Sequence, residues 1–365
     1  SIYAGKKDYL ASSAPHDYSV SGNKVDLTST KKLMDDFLIK TGEQANEEVA
    51  VSYLLFGIKN QETNKLTVFT KNERKVVPKS IVLVFSQETF KQLTGKELNL
   101  SSNQIALYTK NKTLKTQKSL SIDGKNYQIH RQIGDFINKK VPNIYKIIVS
   151  DYSYLVVPDI KIFESSMKGT SIAQATYVGV NVKDPTHDAK KNLDLLDQIA
   201  GEATKQLAGQ TTGVPESYFS ANSRYDAEGM VNGFVGGTFF IGIFLSIIFM
   251  LGTVLVIYYK QISEGYEDRE RFVILQKIGL DDLQVKQTIR KQVLTVFFLP
   301  LIFAFIHLAF AYHMISLIVR IIGVLNPDLM LVVTIIVCGV FFLAYIMVFV
   351  LTSRSYRRIV SMWLT

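Results

Sequence analysis

Three long stretches without a charged residue occupy the last third of this 365-residue chain. They are Gly229–Tyr259, Gln292–Val319 and Leu329–Ser353. A helix needs about 20 apolar residues to cross the hydrocarbon core of a bilayer, and each stretch is longer than that. The sequence therefore predicts an integral membrane protein with transmembrane helices at 231–259, 292–319 and 329–353.

The positions of lysine and arginine predict which segments face the cytoplasm. The loop 260–291 holds seven basic residues and the tail 354–365 holds three, whereas the loop 320–328 holds one. Because cytoplasmic loops are enriched in Lys and Arg, the first loop and the tail are predicted to lie inside. Residues 1–230 and the short loop 320–328 are then outside, and the protein is placed in a plasma membrane.

Residues 1–230 alternate between strand and helix patterns, which predicts a large extracellular α+β domain. We expect helices at Leu27–Gly42 and His187–Leu207, a hairpin turn at Asp123-Gly124, and a helix over Glu216–Glu228 that continues into the membrane. Tyr145–Val149 is predicted to be a strand. The one cysteine, Cys338, lies in a predicted span, so the domain has no disulfide framework. An exposed domain without disulfides suits the outer face of a Gram-positive bacterium.

The start of the chain has no signal peptide. The first residue is Ser1, and residues 1–10 lack an apolar core of the kind that directs export. A domain of this size needs something to export it, so we expect a preceding segment with at least one further span.

Catalytic and cofactor motifs are not found in the sequence. The five histidines are not at metal-ligand spacing, and no GxSxG or HExxH stretch occurs. None of the three Gly-Lys pairs is followed by Ser or Thr, so the chain lacks a P-loop. We therefore expect no enzyme activity, no metal and no cofactor on this chain; ATP and Mg²⁺ would bind a partner subunit.

The segment 59–140 is strongly basic, with 16 Lys and Arg against 6 Asp and Glu, a net charge of +10. One interpretation is a solvated face of hairpins. The other is a binding surface for an anionic partner such as lipid headgroups or a pyrophosphate-bearing lipid. Nucleic acid is excluded by the predicted outside location. The candidate residues are Arg74, Lys75, Lys110, Lys112, Lys115, Lys118 and Arg131.

The loop 260–291 contains a charged run followed by an apolar one. Residues 267–271 are all charged, and Phe272–Leu275 is apolar. We expect a short amphipathic helix beneath the membrane, a break at Gly279 and a second helix capped by Asp281. Such a helix can lie on lipid, but its dense charged flank favours docking into a protein groove.

The sequence of this loop resembles a family element. Residues 270–279, ERFVILQKIG, resemble the E-I-x-I-L-x-x-x-G coupling helix of FtsX/MacB-type ABC permeases. Tyr258–Gly279, Phe297-Phe298-Leu299-Pro300 and the tail Arg354–Val360 resemble the Bce-type, bacitracin-resistance permeases more closely. The resemblance covers about residues 220–360, and full Bce-type permeases have seven further spans before the large domain.

The resemblance implies a permease subunit that protects the cell-wall lipid cycle from peptide antibiotics. Its partners would be a dimeric ABC ATPase, a sensor histidine kinase, membrane lipids, and a peptide antibiotic or its complex with a pyrophosphate lipid. The implied ATPase-coupling residues are Glu270, Arg271, Phe272, Ile274, Leu275, Ile278 and Gly279.

Two further expectations concern the spans and the alternatives. Pro300 should kink the second span, and His307 and His313 should make structural hydrogen bonds rather than carry protons. The same fold would also suit an FtsX-like regulator of a cell-wall hydrolase or a lipoprotein-release permease. The large N-terminal domain favours the antibiotic-resistance class over both.

Overall fold

The structure is a computed structural model that describes residues 2–73, 78–143, 149, 151–185, 188–208, 216–277, 279, 282–321 and 327–361. The chain divides into two compact units, Ile2–Val231 and Asn232–Thr365. We call them the domain unit and the membrane unit.

The domain unit contains ten strands among its described residues. Their bounds are β1 Tyr18–Asn23, β2 Ala45–Glu62, β3 Lys65–Val68, β4 Ser80–Ser86, β5 Gln104–Thr109, β6 Ser119–Ile122, β7 Lys125–Gln132, β8 Asp151–Val157, β9 Ile172–Val182 and β10 Tyr218–Ser223. The described helices of the chain are α1 Ile2–Ser13, α2 Leu27–Thr41, α3 Gln87–Thr94, α4 Lys112–Lys115, α5 Ile160–Ser166, α6 Ala189–Ala208, α7 Arg224–Lys277, α8 Asp282–Ile321 and α9 Pro327–Ser361.

Seven of these strands close into a ring. The order β2-β3-β6-β7-β5-β8-β4 returns to its start because β4 also pairs with β2, from Leu54↔Val84 to Ile58↔Ser80. The domain therefore resembles a β-barrel. The expectation of strands with helices is correct, but ring closure was not predicted.

The other three strands form an arm that joins the ring through one strand. The long strand β2 pairs with β9 over Ala45–Phe56, and β1 and β10 follow in antiparallel order. Glu216–Glu228 was expected to be a single helix, and this was wrong. Its first half is β10, because residues 218–223 pair with β1 at the edge of the arm.

Apolar side chains fill the ring and cover one face of the arm. The ring interior holds Phe56, Leu107, Leu155 and Phe163, each 3% exposed or less. On the arm, α2 and α6 pack against β1, β9 and β10 around Phe37 and Leu196. Both layers bury apolar area within the domain unit, so this unit has its own hydrophobic core.

Local signals place several of these elements. Asp26 caps α2 through the Ser29 amide, and Gly42 ends it in the left-handed conformation at φ 71°. Asp123 and Gly124, both at positive φ, form the two-residue turn between β6 and β7. The predicted strand at Tyr145–Val149 lies almost entirely outside the described residues.

Among the described residues, three helices that lie wholly or mostly in the membrane unit are long and apolar enough to cross a bilayer. The segments are Arg224–Lys260, Phe298–Ile318 and Asp328–Val350, with mean hydropathies of 2.8, 2.0 and 2.9. The fold therefore combines a large β-barrel-like domain with three candidate transmembrane helices.

Candidate functional site

The predicted coupling segment, residues 260–279, is continuous with the first apolar helix up to Lys277. α7 runs for 54 residues without interruption from Arg224 to Lys277. The expected short separate helix is therefore wrong, since residues 260–277 extend the span instead. Residues 260–277 contain no proline, and the single glycine, Gly265, is tolerated within the helix.

The predicted break at Gly279 is present. α7 ends at Lys277, Gly279 has φ +105°, and α8 begins at Asp282. That backbone conformation is strained for any residue with a Cβ, which explains why the sequence places glycine there. The predicted cap Asp281 lies outside the described residues.

The proposed anchors on this segment can be located only in part. Ile274 is 58% exposed, which leaves its side chain available to a partner. The side chains of Glu270, Arg271, Phe272 and Leu275, and the whole of Ile278, lie outside the described part of the structure.

The lysines of the basic segment gather at one end of the ring. Lys112 and Lys115 lie on the one-turn helix α4, which connects the end of β5 with the start of β6. Asn111 caps this turn by accepting hydrogen bonds from the amides of Thr113, 2.9 Å, and Leu114, 3.3 Å. Leu114 is 2% exposed and anchors the turn in the ring interior.

Further hydrogen bonds hold this turn in place. The Asn111 side-chain amide donates to Asp151 Oδ2 at 2.8 Å and to Gln61 Oε1 at 3.3 Å. These bonds join α4 to the start of β8 and to the end of β2. The lysines are therefore carried by a fixed turn rather than by a free loop.

Lys110, Lys118 and Arg131 lie near the same end. The Lys110 ammonium is 5.1 Å from the ring centroid of Tyr152, a cation–π contact. Burial, followed by the neighbouring Tyr108, raises the pKa of Tyr152 well above its usual value, so this phenol stays protonated. Lys118 immediately precedes β6, and its carbonyl accepts the Ile129 amide of β7 at 2.9 Å. Arg131 lies opposite Ala106 of β5.

We define the lysine surface as Lys110, Lys112, Lys115 and Lys118. All four side chains are exposed, and none forms an ion pair with another residue in the described ranges. Several exposed ammonium groups on one connection between strands, without neighbouring carboxylates paired to them, attract anions. Arg74 and Lys75, which were also predicted to belong to this site, lie outside the described residues.

A cavity of about 410 Å³ lies at the opposite end of the ring, between α5 and β7. Its lining includes Lys125, Tyr127, Asp159, Ile162 and Phe163. No residue predicted to be functional from the sequence lines this cavity. Within the described residues, no cluster of three or more metal-ligating side chains is present.

Inside the spans, His307 makes the predicted structural contact. Its Nδ1 lies 2.7 Å from the Phe303 carbonyl, one helical turn earlier, and donates to it in the matching tautomer. Pro300 lies within α8, which is helical on both sides of it. A kink at Pro300 stays a prediction.

A hydrogen-bonded group that no sequence pattern indicated lies where α7 begins. The Arg224 guanidinium donates from Nη1 to Asp17 Oδ1 and from Nε to the Ala14 carbonyl, both at 3.3 Å. Asp17 Oδ2 accepts the Val182 amide at 3.0 Å, and the Asp17 amide donates to Asn181 Oδ1 at 3.2 Å. Positions 17 and 224 are too far apart in sequence for any local pattern to connect them.

The apolar helices, the Gly279 break and the large domain match one class of protein: this chain is similar to ABC transporter permeases of the Bce type. Three Bacillus subtilis (strain 168) proteins carry that similarity. They are the ABC transporter permease protein YxdM, 36% identical over 72 residues; the uncharacterized ABC transporter permease YvcS, 29% over 121 residues; and the bacitracin export permease protein BceB, 29% over 140 residues.

The similarity covers part of each protein. The matched segments span 20%, 33% and 38% of this chain, and 12%, 18% and 19% of the respective relatives. No family model matches the chain. The resemblance to Bce-type permeases noted from the sequence is thus confirmed, and together with the three apolar helices it identifies a membrane protein.

Proposed function

We propose that this chain is a non-catalytic permease subunit of an ABC system that senses and confers resistance to peptide antibiotics directed at the cell wall. The observation that carries the proposal is its similarity to three Bacillus permeases, one of them named a bacitracin export permease. ATP and Mg²⁺ would bind a separate, dimeric ATPase subunit. A sensor histidine kinase would be a further partner.

The topology in this proposal follows from the distribution of charge. Residues 1–230 face the outside of a Gram-positive plasma membrane, and residues 260–291 and 354–365 face the cytoplasm. Cysteines introduced at Lys115 and Lys286 test it with an impermeant thiol reagent on intact cells, in a Cys338→Ser background. Labelling is expected at position 115 alone. Labelling at position 286 alone contradicts the topology.

The coupling segment is proposed to dock in a groove of the ATPase. Phe272, Ile274, Leu275 and Ile278 would be the apolar anchors, with Glu270 and Arg271 at the rim. Buried apolar anchors supply most of the energy of an interface, roughly 1.5–3 kcal/mol for each large side chain.

Leu275→Asp tests this coupling role, because it removes an anchor and places a charge in the groove. The expected result is loss of ATPase copurification and of ATP turnover by the complex. Ile39→Asp is the matched control, since Ile39 is 79% exposed on the domain unit. Normal copurification and turnover with Leu275→Asp exclude this segment as the coupling element.

The lysine surface, with Arg74, Lys75 and Arg131, is proposed to bind a pyrophosphate-bearing lipid or its complex with a peptide antibiotic. The support is four exposed lysines, two on a capped, anchored turn and two flanking it, with Lys110 beside a protonated tyrosine. Several cations around one pyrophosphate give strong, salt-sensitive attraction.

Farnesyl pyrophosphate is a soluble probe for this site. Changing Lys110, Lys112, Lys115 and Lys118 to Ser is expected to weaken its binding at least tenfold and to flatten its salt dependence. The control changes four other exposed lysines, Lys32, Lys40, Lys161 and Lys168, to Ser. Equal binding by the two variants supports the solvated-face interpretation instead.

A further inference from the structure

The first turn of α7 is fixed to three other elements of the domain unit. Arg224 contacts the Ala14 carbonyl just after α1 and the Asp17 carboxylate just before β1, and its amide donates to the Asp17 carbonyl at 3.0 Å. Asp17 in turn binds Asn181 and Val182 near the end of β9. We call Asp17, Asn181 and Arg224 the clasp.

The clasp is more than a surface ion pair. Asp17 is 9% exposed, and both of its carboxylate oxygens are hydrogen-bonded. An enclosed carboxylate held by an arginine and an amide has few alternative partners. Displacing the first turn of α7 therefore requires either moving β1 and β9 with it or leaving the Asp17 charge without its cation.

One strand links the clasp to the lysine surface. At one end of β2, Ala45 pairs with Val182, and Glu47 Oε2 accepts a hydrogen bond from the Asn181 side chain at 3.0 Å. At its other end, Gln61 accepts from Asn111, the cap of the lysine-bearing turn. β2 has 18 residues and spans roughly 55 Å at the usual rise of a strand.

We propose that β2 and the clasp couple the lysine surface to the first turn of α7, so that Asp17 and Arg224 are positioning residues for communication between ligand and ATPase. This proposal rests on the proposed function. A chain of hydrogen bonds and one continuous strand provides a physical path, and coupling through it must act in both directions.

The test uses the complex of the full chain with its ATPase partner and compares wild type with Asp17→Asn and Arg224→Gln. Farnesyl pyrophosphate should change ATP turnover in the wild type and should have at least a tenfold smaller effect in both variants. Binding of the probe and turnover without it should stay within about twofold of wild type. Arg224→Lys, which keeps the charge, should restore part of the response.

Lys6→Gln is the matched control. Lys6 also joins α1 to α7, through Glu228 at 3.3 Å, but this pair is more exposed and does not reach β9. ATP turnover in the Lys6→Gln variant should respond to farnesyl pyrophosphate as it does in the wild type. A wild-type response in Arg224→Gln, or an equal loss in Lys6→Gln, overturns the role of the clasp.

A measurement without the pyrophosphate probe separates failure of the clasp proposal from failure of the proposed function. Amide hydrogen exchange in β1 and β10 is compared with and without bound ATP. ATP should change exchange there at least threefold in wild type and not in Arg224→Gln. Absence of a wild-type change, or equal changes in both proteins, contradicts the clasp proposal. A wild type that shows the exchange change but binds no pyrophosphate probe contradicts only the lysine-surface assignment.

Discussion

The domain unit and the membrane unit bury their side chains very differently. In the domain unit, strands from distant parts of the sequence enclose apolar clusters with side chains such as Leu107 and Tyr154 at 0% exposed. Among the described side chains of the membrane unit, only Leu301 is buried. The domain unit is stabilised by its own packing, whereas the apolar helices depend on surroundings that are themselves apolar. Removing a packed side chain should therefore lower the stability of the domain unit, whereas a substitution in the membrane unit should leave that stability nearly unchanged.

The largest effect on the domain unit should come from its ring interior. Leu107→Ala removes a fully buried side chain and leaves a cavity, which should lower the free energy of unfolding by about 2–5 kcal/mol. Leu207→Ala, at a side chain 49% exposed, is the control. Denaturant unfolding monitored by the tyrosine fluorescence of the domain unit measures the stability of both variants. Equal midpoints for the two variants contradict the assigned core.

Acidification should destabilise the domain unit through His16. This residue is 2% exposed and lies 2.8 Å from the Tyr177 hydroxyl. The pKa of His16 is lowered to about 4, chiefly because the ring is buried; the charge of Glu47 opposes this shift, and the charge of Arg224 adds to it. The folded state thus favours neutral histidine. Neutral His16 therefore contributes to the free energy of unfolding. This contribution, roughly 3 kcal/mol, is complete above the unfolded pKa of about 6.5 and is lost as the pH falls towards 4.

The measurement is unfolding free energy against pH for wild type and His16→Gln, which cannot titrate. The difference between the two curves should shrink or reverse between pH 6.5 and 4. Parallel curves would show that His16 does not titrate differently in the folded state.

Gly179 should tolerate no side chain. A Cβ there would lie 2.5 Å from His16 Nδ1 and 2.5 Å from the Tyr177 hydroxyl. Gly179→Ala should therefore cost about 1–3 kcal/mol by overpacking. Gly201→Ala is the control, since nothing lies within 4 Å of a Cβ at that helical position. Calorimetry should give a lower Tm for Gly179→Ala and an unchanged or higher one for Gly201→Ala.

The partly exposed pair Lys6–Glu228 should matter little to folding. Such pairs contribute at most about 1 kcal/mol, and salt screens them. Lys6→Gln should lower the unfolding free energy by less than that amount, with no difference from wild type at 1 M salt. A larger loss would show that α1 is a stabilising part of the domain unit.

The smallest effect on domain stability should come from Gly279→Val, although it should impair coupling strongly. Valine at φ +105° is strained, so the break between α7 and α8 must change. Domain unfolding should shift by less than about 0.5 kcal/mol while ATP turnover of the complex falls. A destabilised domain with normal turnover would reverse the comparison between the two units.

Local features were predictable because local chemistry determines them. The cap of α2 at Gly42, the turn at Asp123-Gly124 and the break at Gly279 all depend on a few adjacent residues. Ring closure was not predictable, since it requires β2 to meet β4 on one edge and β3 and β9 on the other. β10 was mistaken for helix because only its pairing with β1 makes residues 218–223 a strand.

The candidate sites follow the same division. The high density of positive charge in residues 59–140 indicated the lysine surface. The resemblance to the E-I-x-I-L-x-x-x-G element indicated residues 270–279. The clasp had no signal, since an isolated Asp17 and an isolated Arg224 look like any surface charges in the sequence. Their importance comes from burial and from shared partners, which exist only in the folded domain.

The pairing of β1 with β10 also sets an order for biosynthesis. The arm joins residues 18–23 to residues 218–223, so its edge strand cannot form until nearly the whole domain unit has left the ribosome. Contacts of such sequence separation form slowly, and until then β1 has one unpaired edge. Because α7 begins at the residue after β10, synthesis of the first apolar helix starts as soon as the last strand of the domain is complete. A nascent chain stalled before β10 is made would expose that edge of β1 to aggregation, which makes the end of domain synthesis the vulnerable point in the protein's maturation.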